Sequence, residues 1–210
     1  RAMHDLNVFC REIVYPLPDF TVDLVLDASS SRYREQEGIA AQAYMIARSL
    51  MNLQIPVQVV SFRSVRGYTV LQRLKGYEAA ESAEGIFHYY TAGNNRDGLA
   101  FQAVRALMEQ SGYERQKRIV LVLTDAMPSD AYKAFVPGCL RSSRDYDEAL
   151  AVEDTCAAVR SLRQKGMRVA AIFWGGNYGD SFVRIRMISQ LTDAVINLLL
   201  RILAELREMV

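Results

Sequence analysis

Three short apolar runs restrict the fold of this chain more than any other feature: "FTVDLVLD" (20–27), "RIVLVLTD" (118–125) and "MRVAAIFW" (167–174). Each has strand length, is rich in β-branched residues and is apolar on nearly every position. Strands of that kind belong in a parallel sheet covered on both faces. Helical periodicities lie between them. Ile39, Ala43, Ile46, Ala47 and Leu50 mark one face of a helix over about 36–53, and Leu99, Val104 and Leu107 mark another over 98–110. A third helix is expected over 147–165. It opens with Asp147 and Glu148, closes with Arg163 and Lys165, and is followed by Gly166, the charge order a helix dipole favours.

"IPVQVVSF" (55–62) reads as a further strand, and "GYTVLQRL" (67–74) follows it so closely that the two form a hairpin with an antiparallel edge strand. Residues 81–90 predict a short helix, and "VRIRMIS" (183–189) a short last strand. The segment from Ala194 predicts an amphipathic helix, with Val195, Leu198, Leu199, Ile202 and Leu206 at helical spacing. Residues 126–146 read as one long irregular loop. The order β-α-β-β-α-β-α-β-(β)-α predicts an α/β, Rossmann-like, doubly wound sheet. It is mostly parallel with one antiparallel edge strand, and has helices on both faces.

The chain has 210 residues, half of them hydrophobic, which suits one domain with a sizeable core. Residues 1–18, with Pro16 and Pro18, read as a lead-in or linker, and 19–210 as the domain. A start at Arg1 reads as a piece of a longer protein. Twenty-five basic against 24 acidic residues give a formal charge of +1, which points away from nucleic acid or a membrane surface. Three scattered cysteines lack zinc-ligand spacing and form no disulfide framework, so a cytoplasmic setting is expected. No signal-peptide pattern opens the chain, and the apolar C-terminal segment is too short and too charged to span a bilayer.

In open α/β sheets, ligands bind at the carboxyl ends of the strands, where the strand order reverses. Two of the apolar strands end there in acids, Asp27 and Asp125. If those strands are neighbours, both carboxylates reach one crevice. Alternate residues of an extended segment point the same way, so Asp27, Ser29 and Ser31 of "DASSS" converge while Ala28 and Ser30 face away. Carboxylate and hydroxyl oxygens are hard ligands that suit Mg²⁺ or Mn²⁺, at about 2.0–2.2 Å, with waters completing the shell. The same residues also suit a plain turn and helix cap, and geometry alone leaves the two readings level.

"DASSS" resembles the D-x-S-x-S of von Willebrand factor A domains, which opens their metal-ion-dependent adhesion site. "LVLTDAMPSD" resembles the family's later Asp-bearing strand end, and the element order agrees over about 20–208. "GNNRDGLAFQAV" and "EDTCAAVRSLRQKG" are similar to a bacterial subgroup that includes subunits of cobalt chelatase and accessory proteins of nitric-oxide reductase. The resemblance implies a metal-dependent protein-binding module. Ser29 and Ser31 would ligate directly, Asp27 and Asp125 through waters, and an acidic side chain of a partner would complete the octahedron. It also implies work beside AAA+ ATPases of the MoxR type, in chelation or metalloenzyme maturation. The family's Thr position falls on Asp97; Thr91 lies several residues too early. Asp27, Asp97 and Asp125 would give a formal charge of about −3 against a +2 ion, so Asp97 is expected to tighten the cation and make it less electrophilic. The rival role for Asp97 is a helix N-cap.

Little supports catalysis. No G-x-S-x-G, G-x-x-x-x-G-K-[ST] or G-x-G-x-x-G is present in the expected place. His88 reads as a half-buried structural residue, and His4 lies outside the strand-end loops. "GGNYGD" (175–180) reads as a rim loop rather than a phosphate cradle. The haloacid-dehalogenase phosphotransferases need an acid two positions after the first strand's Asp, where this chain has Ser29. The competing readings are a metal-dependent hydrolase or phosphotransferase in the same crevice, and a scaffold with an empty site. Arg32, Arg34, Arg63, Arg66 and Arg96 read as a solvated rim, and the 126–146 segment as the partner-selecting element.

Overall fold

A computed structural model describes residues 20–113, 117–135, 143–146, 148–173 and 183–185. The central sheet has six strands: β1 (Phe20–Asp27), β2 (Val57–Val65), β3 (Tyr68–Lys75), β4 (Lys117–Thr124), β7 (Arg168–Phe173) and β8 (Val183–Ile185). Their spatial order is β3-β2-β1-β4-β7-β8. Only β2–β3 is antiparallel; β1 pairs in parallel with both β2 and β4, and β7 with β4 and β8. β5 (Asp130–Phe135) and β6 (Ser143–Tyr146) form a separate antiparallel pair. The expected mostly parallel sheet with one antiparallel edge strand is the observed one.

The helices are α1 (Gln36–Asn52), α2 (Asp97–Glu109) and α3 (Glu148–Gln164). Single 3₁₀ segments span Ser30–Glu35 and Ala83–His88. The strand pleat sends alternate residues to two separate cores. Val22, Leu24 and Leu26 of β1 and Ile119, Leu121 and Leu123 of β4 pack with Ile39, Ala43, Ile46 and Leu50 of α1. Val25, Val120 and Val122 pack on the other side with Phe101, Val104 and Met108 of α2 and Val159 and Leu162 of α3. β1 is buried at every position, because a central parallel strand has helices on both faces. Each fully covered Leu or Val contributes about 1.5–3 kcal/mol of transfer free energy, so these two layers fix the strand ends firmly.

Three expectations need correction. The buried stripe of α2 is Ala100, Phe101, Val104 and Met108, while Leu99 is 42% exposed. Leu99 and Val104 are five residues apart, about 140° around the helix, so the two do not share a face. The segment after β4 is not one irregular loop, since it carries β5 and β6. His88 ends its 3₁₀ segment exposed rather than half-buried. The 1–18 lead-in with His4, the "GGNYGD" loop and the C-terminal helix lie outside the described residues. Among the described residues, no helix is long and apolar enough to cross a membrane.

Candidate metal centre

The sheet order reverses between β1 and β4. β1 runs on through α1 to β2 on one side, and β4 lies on the other. The register pairs Leu26 with Leu123, so Asp27 ends β1 level with Thr124, and Asp125 follows directly. This is the crevice that the strand-end argument requires, and all five sequence-predicted residues are found at it.

Hydrogen bonds knit four of the five into one cluster. The Ser29 backbone N–H donates to Asp27 Oδ1 at 2.9 Å. The Ser29 and Ser31 hydroxyls lie 2.9 Å apart, and Ser31 Oγ donates to Asp125 Oδ2 at 2.6 Å. Thr124 Oγ1 donates to Asp27 Oδ2 at 3.1 Å, bridging the two strand ends. Ser30 turns away as expected: its N–H and its hydroxyl both donate to Gly93 O. Ala28 is fully buried in the α1-side core. The Met127 N–H donates to Asp125 Oδ1 at 3.0 Å, and Ala126 between them takes the left-handed backbone at φ 65. A non-glycine residue there is uncommon and costs roughly 1 kcal/mol or more, so the chain is bent around Asp125 at some expense.

Asp97 enters from the start of α2. The helix cap is Arg96, so Asp97 is not the N-cap. Asp97 is 1% exposed, and its Oδ1 accepts from Asn95 Nδ2 at 3.0 Å. Thr91 is engaged elsewhere, donating through both its N–H and its hydroxyl to Gln36 Oε1 on α1.

The electrostatics are those of crowded acids. Burial pushes Asp27 up to about 6, with the Asp125 charge adding to the rise; Ser29 and Arg32 oppose it. Asp97 is held well above the usual carboxylate range, first by burial and then by the charges of Asp27 and Asp125. A cation among them would remove this repulsion. Part of the compensation is built in, since Arg32 Nη1 lies 3.7 Å from Asp125 Oδ2 and the Arg32 side chain is 4% exposed.

The donor set fits a hard divalent ion: every available group is oxygen, and the two hydroxyls supply neutral donors between the carboxylates. Among the described residues, no three His, Cys, Asp or Glu side chains are arranged to hold a metal by themselves. An ion here would draw on the Ser29 and Ser31 hydroxyls and on waters as well as on the carboxylates.

Several contributors were missed in the sequence. Arg32 directly follows the serines and is buried against Asp125, not part of the expected solvated rim. Arg63 is also buried; its Nη2 donates to Tyr90 OH and its guanidinium lies 4.0 Å from that ring. Arg96 Nε donates to Asp130 Oδ2 at 2.5 Å, and its Nη2 donates to Tyr132 O. Of the five arginines, Arg34 and Arg66 are the solvated ones. Asp154 of α3 lies against the first turn of α2, its Oδ2 only 2.3 Å from where a Cβ on Gly98 would sit, and it accepts from Tyr146 OH at 2.9 Å. Its charge adds to the rise of Asp97. Nothing local in the α3 sequence signals this role; only the α2–α3 packing creates it. Tyr89 OH donates to the Asp27 backbone carbonyl, pinning the end of β1.

No protein-family model and no curated protein matches the sequence. Solved structures do match the fold. The vWF domain of the type V pili tip protein Mfa5 from Porphyromonas gingivalis superposes with a TM-score of 0.65 at 11% identity, over 91% of this chain and 97% of that one. The SpRpn10 VWA domain gives 0.51 at 10% identity, over 87% and 95%. Manganese-loaded TRAP protein from Plasmodium vivax gives 0.50 at 18% identity, over 82% of this chain and 66% of that one. The chain spans 22% of a three-domain N-terminal structure of Mfa5 and 47% of a structure of mussel byssus proximal thread matrix protein 1. At these identities the likeness shows the fold: this chain has the α/β fold of von Willebrand factor A domains.

Proposed function

We propose that the domain is a metal-dependent protein-binding module, not an enzyme. The observation that carries this is the hydrogen-bonded cluster Asp27–Ser29–Ser31–Asp125 at the β1–β4 switch point, with the buried Asp97 beside it. Three mutually repelling carboxylates and two neutral hydroxyls match the needs of Mg²⁺ or Mn²⁺. Such a site leaves a coordination position for an acidic side chain of a partner. The manganese-loaded relative in fold supports a divalent ion in such a crevice. The hydroxyls and carboxylates nearest the cluster are already committed to one another, and no described imidazole or thiol joins them to act as base or nucleophile.

The finer reading, carried over from the motif resemblance, is a cytoplasmic partner of a MoxR-type AAA+ ATPase in metal chelation or metalloenzyme maturation. Asp97 in place of a neutral Thr should let the isolated domain bind its ion without a partner. Arg32 favours one other reading, a scaffold that uses this guanidinium in place of an ion.

Calorimetric titration of Mg²⁺ into wild type and Asp97→Ala separates these. Binding by wild type with at least tenfold weakening in the variant supports the proposal. Equal affinities remove Asp97 from the site, and no binding by either supports the scaffold. Capture of one partner that is lost both in EDTA and in Asp27→Ala tests the protein-binding half.

A further inference from the structure

The loop that leads into α2 touches two things at once, the Asp27–Asp125 crevice and the β5–β6 ribbon, and Asn95 joins them. Its backbone and that of Ser129 form a two-way bridge, each N–H donating to the other's carbonyl at 3.1 Å. Asn95 is 3% exposed, and both ends of its side-chain amide are used. Oδ1 accepts from the Ser129 N–H at 3.2 Å, and Nδ2 donates to Asp97 Oδ1 at 3.0 Å. A backbone N–H can only donate, so the amide oxygen faces Ser129 and the NH₂ faces the carboxylate.

Asn94 and Arg96 hold the ribbon on either side of this link. Asp130 Oδ1 accepts from Asn94 Nδ2 at 3.3 Å, and Asp130 Oδ2 accepts from Arg96 Nε at 2.5 Å. Arg96 Nη2 donates to the Tyr132 carbonyl at 2.6 Å, and its guanidinium lies 5.0 Å from the centre of the Tyr146 ring on β6. Tyr132 leans on the β2–β3 turn, its Cγ 3.4 Å from where a Cβ on Gly67 would sit. Among the described residues, β5 and β6 pair with each other and with no strand of the central sheet. A two-stranded ribbon alone is marginal in water, so its order rests on these anchors. Of them, the Asn95 amide is the one that ends on a carboxylate of the crevice.

We infer that Asn95 is a positioning residue that couples the crevice to the ribbon, so that filling the metal site keeps the β5–β6 ribbon docked on the loop before α2. The physical basis is linkage. When the ribbon undocks, Ser129 leaves the Asn95 amide, and the amide no longer fixes Asp97. A cation that uses Asp97 in its docked position binds the docked form better, and by mass action it raises the cost of undocking. The exposed Met127 and Tyr132 border the link, so the ion-bound domain would offer a partner that face in one fixed arrangement. The inference rests on the metal-binding reading above and names a regulation of the same site.

The test is amide exchange over 129–135 and 143–146, with and without Mg²⁺ at a concentration that calorimetry shows to saturate each protein. In wild type, Mg²⁺ should slow exchange of these amides by about tenfold or more. Asn95→Ala should still bind Mg²⁺, yet the ion should then change ribbon exchange by no more than about twofold. Should that buried substitution fail to fold, Ser129→Pro removes the same N–H from an exposed position and should have the same effect. An Asn95 that only supported the loop would, when removed, speed exchange equally with and without the ion and leave the wild-type ratio intact. That result, or Mg²⁺ binding by wild type with no slowing in the ribbon, overturns this inference alone. No Mg²⁺ binding by wild type overturns the metal-binding reading and this inference with it.

Discussion

Asp23→Asn should stabilise the protein at neutral pH and lose that advantage in acid. Asp23 sits mid-strand on β1 with 0% exposure. Its Oδ1 accepts from Tyr77 OH and from Gln58 Nε2, while Oδ2 has no hydrogen-bond partner. Burial raises its pKa from 3.8 to about 6; the Tyr77 hydrogen bond, the Arg118 charge and the Gln58 hydrogen bond pull the other way. The folded state therefore holds its proton more tightly than the unfolded state. Stability from this group is fully present below about 3.8 and is lost as pH rises through about 6. Each pH unit of that displacement corresponds to about 1.4 kcal/mol, so ionisation costs the fold about 3 kcal/mol by neutral pH. Asn mimics the protonated side chain and keeps the Oδ1 acceptor. Its N–H groups stand where Oδ2 has no partner, which takes back roughly 1–3 kcal/mol at every pH. The absolute gain is thus small, but its pH dependence is not. Urea unfolding of both proteins at about pH 4.5 and about pH 7.5 should show the variant gaining about 2 kcal/mol relative to wild type between the two. A variant-minus-wild-type difference that is flat with pH would refute the reasoning.

Two glycines give further tests. Gly98→Ala places a Cβ 2.3 Å from Asp154 Oδ2 and 2.8 Å from the Asp154 backbone carbon, so α2 and α3 must part beside Asp97. A loss of about 1–3 kcal/mol in urea unfolding is expected, along with weaker Mg²⁺ binding by calorimetry. Gly93→Ala meets the Ser64 carbonyl at 2.2 Å from a backbone held at φ +66. It should cost a similar amount and displace the carbonyl that holds Ser30, which amide exchange over 28–32 would detect.

The parts of this fold that were legible in the sequence are those carried by period and burial. β1, β4 and β7 are unbroken apolar runs, and such runs are stable only under helices on both faces, so their position at the sheet centre follows from composition. The hairpin β2–β3 follows from the two residues, Arg66 and Gly67, that separate the strands, both with positive φ. Asp27, Ser29, Ser31 and Asp125 were legible because strand ends and alternation are local rules. Arg32, Asn95 and Asp154 were not. Each acts through a partner distant in sequence or through a side-chain direction that no period encodes. β5 and β6 were missed for a related reason: "DAYKAF" and "SRDY" lack alternation, and what anchors the pair is Asp130, which takes Arg96 and the Asn94 amide from the loop before α2.

β1 carries two buried acids, Asp23 and Asp27, four residues apart on the same face and directed toward the α2–α3 side. A core strand selected for stability alone would carry neither. Asp27 has Thr124, the Ser29 N–H and the nearby Arg32 charge, yet burial and Asp125 still leave its pKa near 6. Its ionised form is therefore a standing cost to the ion-free fold, and an ion should repay it. In EDTA, Asp27→Asn should melt at or above the wild-type temperature. At a Mg²⁺ concentration about 100 times its Kd, linkage gives wild type about 2.7 kcal/mol, or roughly 5–10 °C in Tm for a domain of this size. The variant should show little of that shift. If instead Asp27→Asn melts well below wild type in EDTA, the carboxylate is a structural hydrogen-bond acceptor at the end of β1, and the case for an ion at this crevice loses its main support.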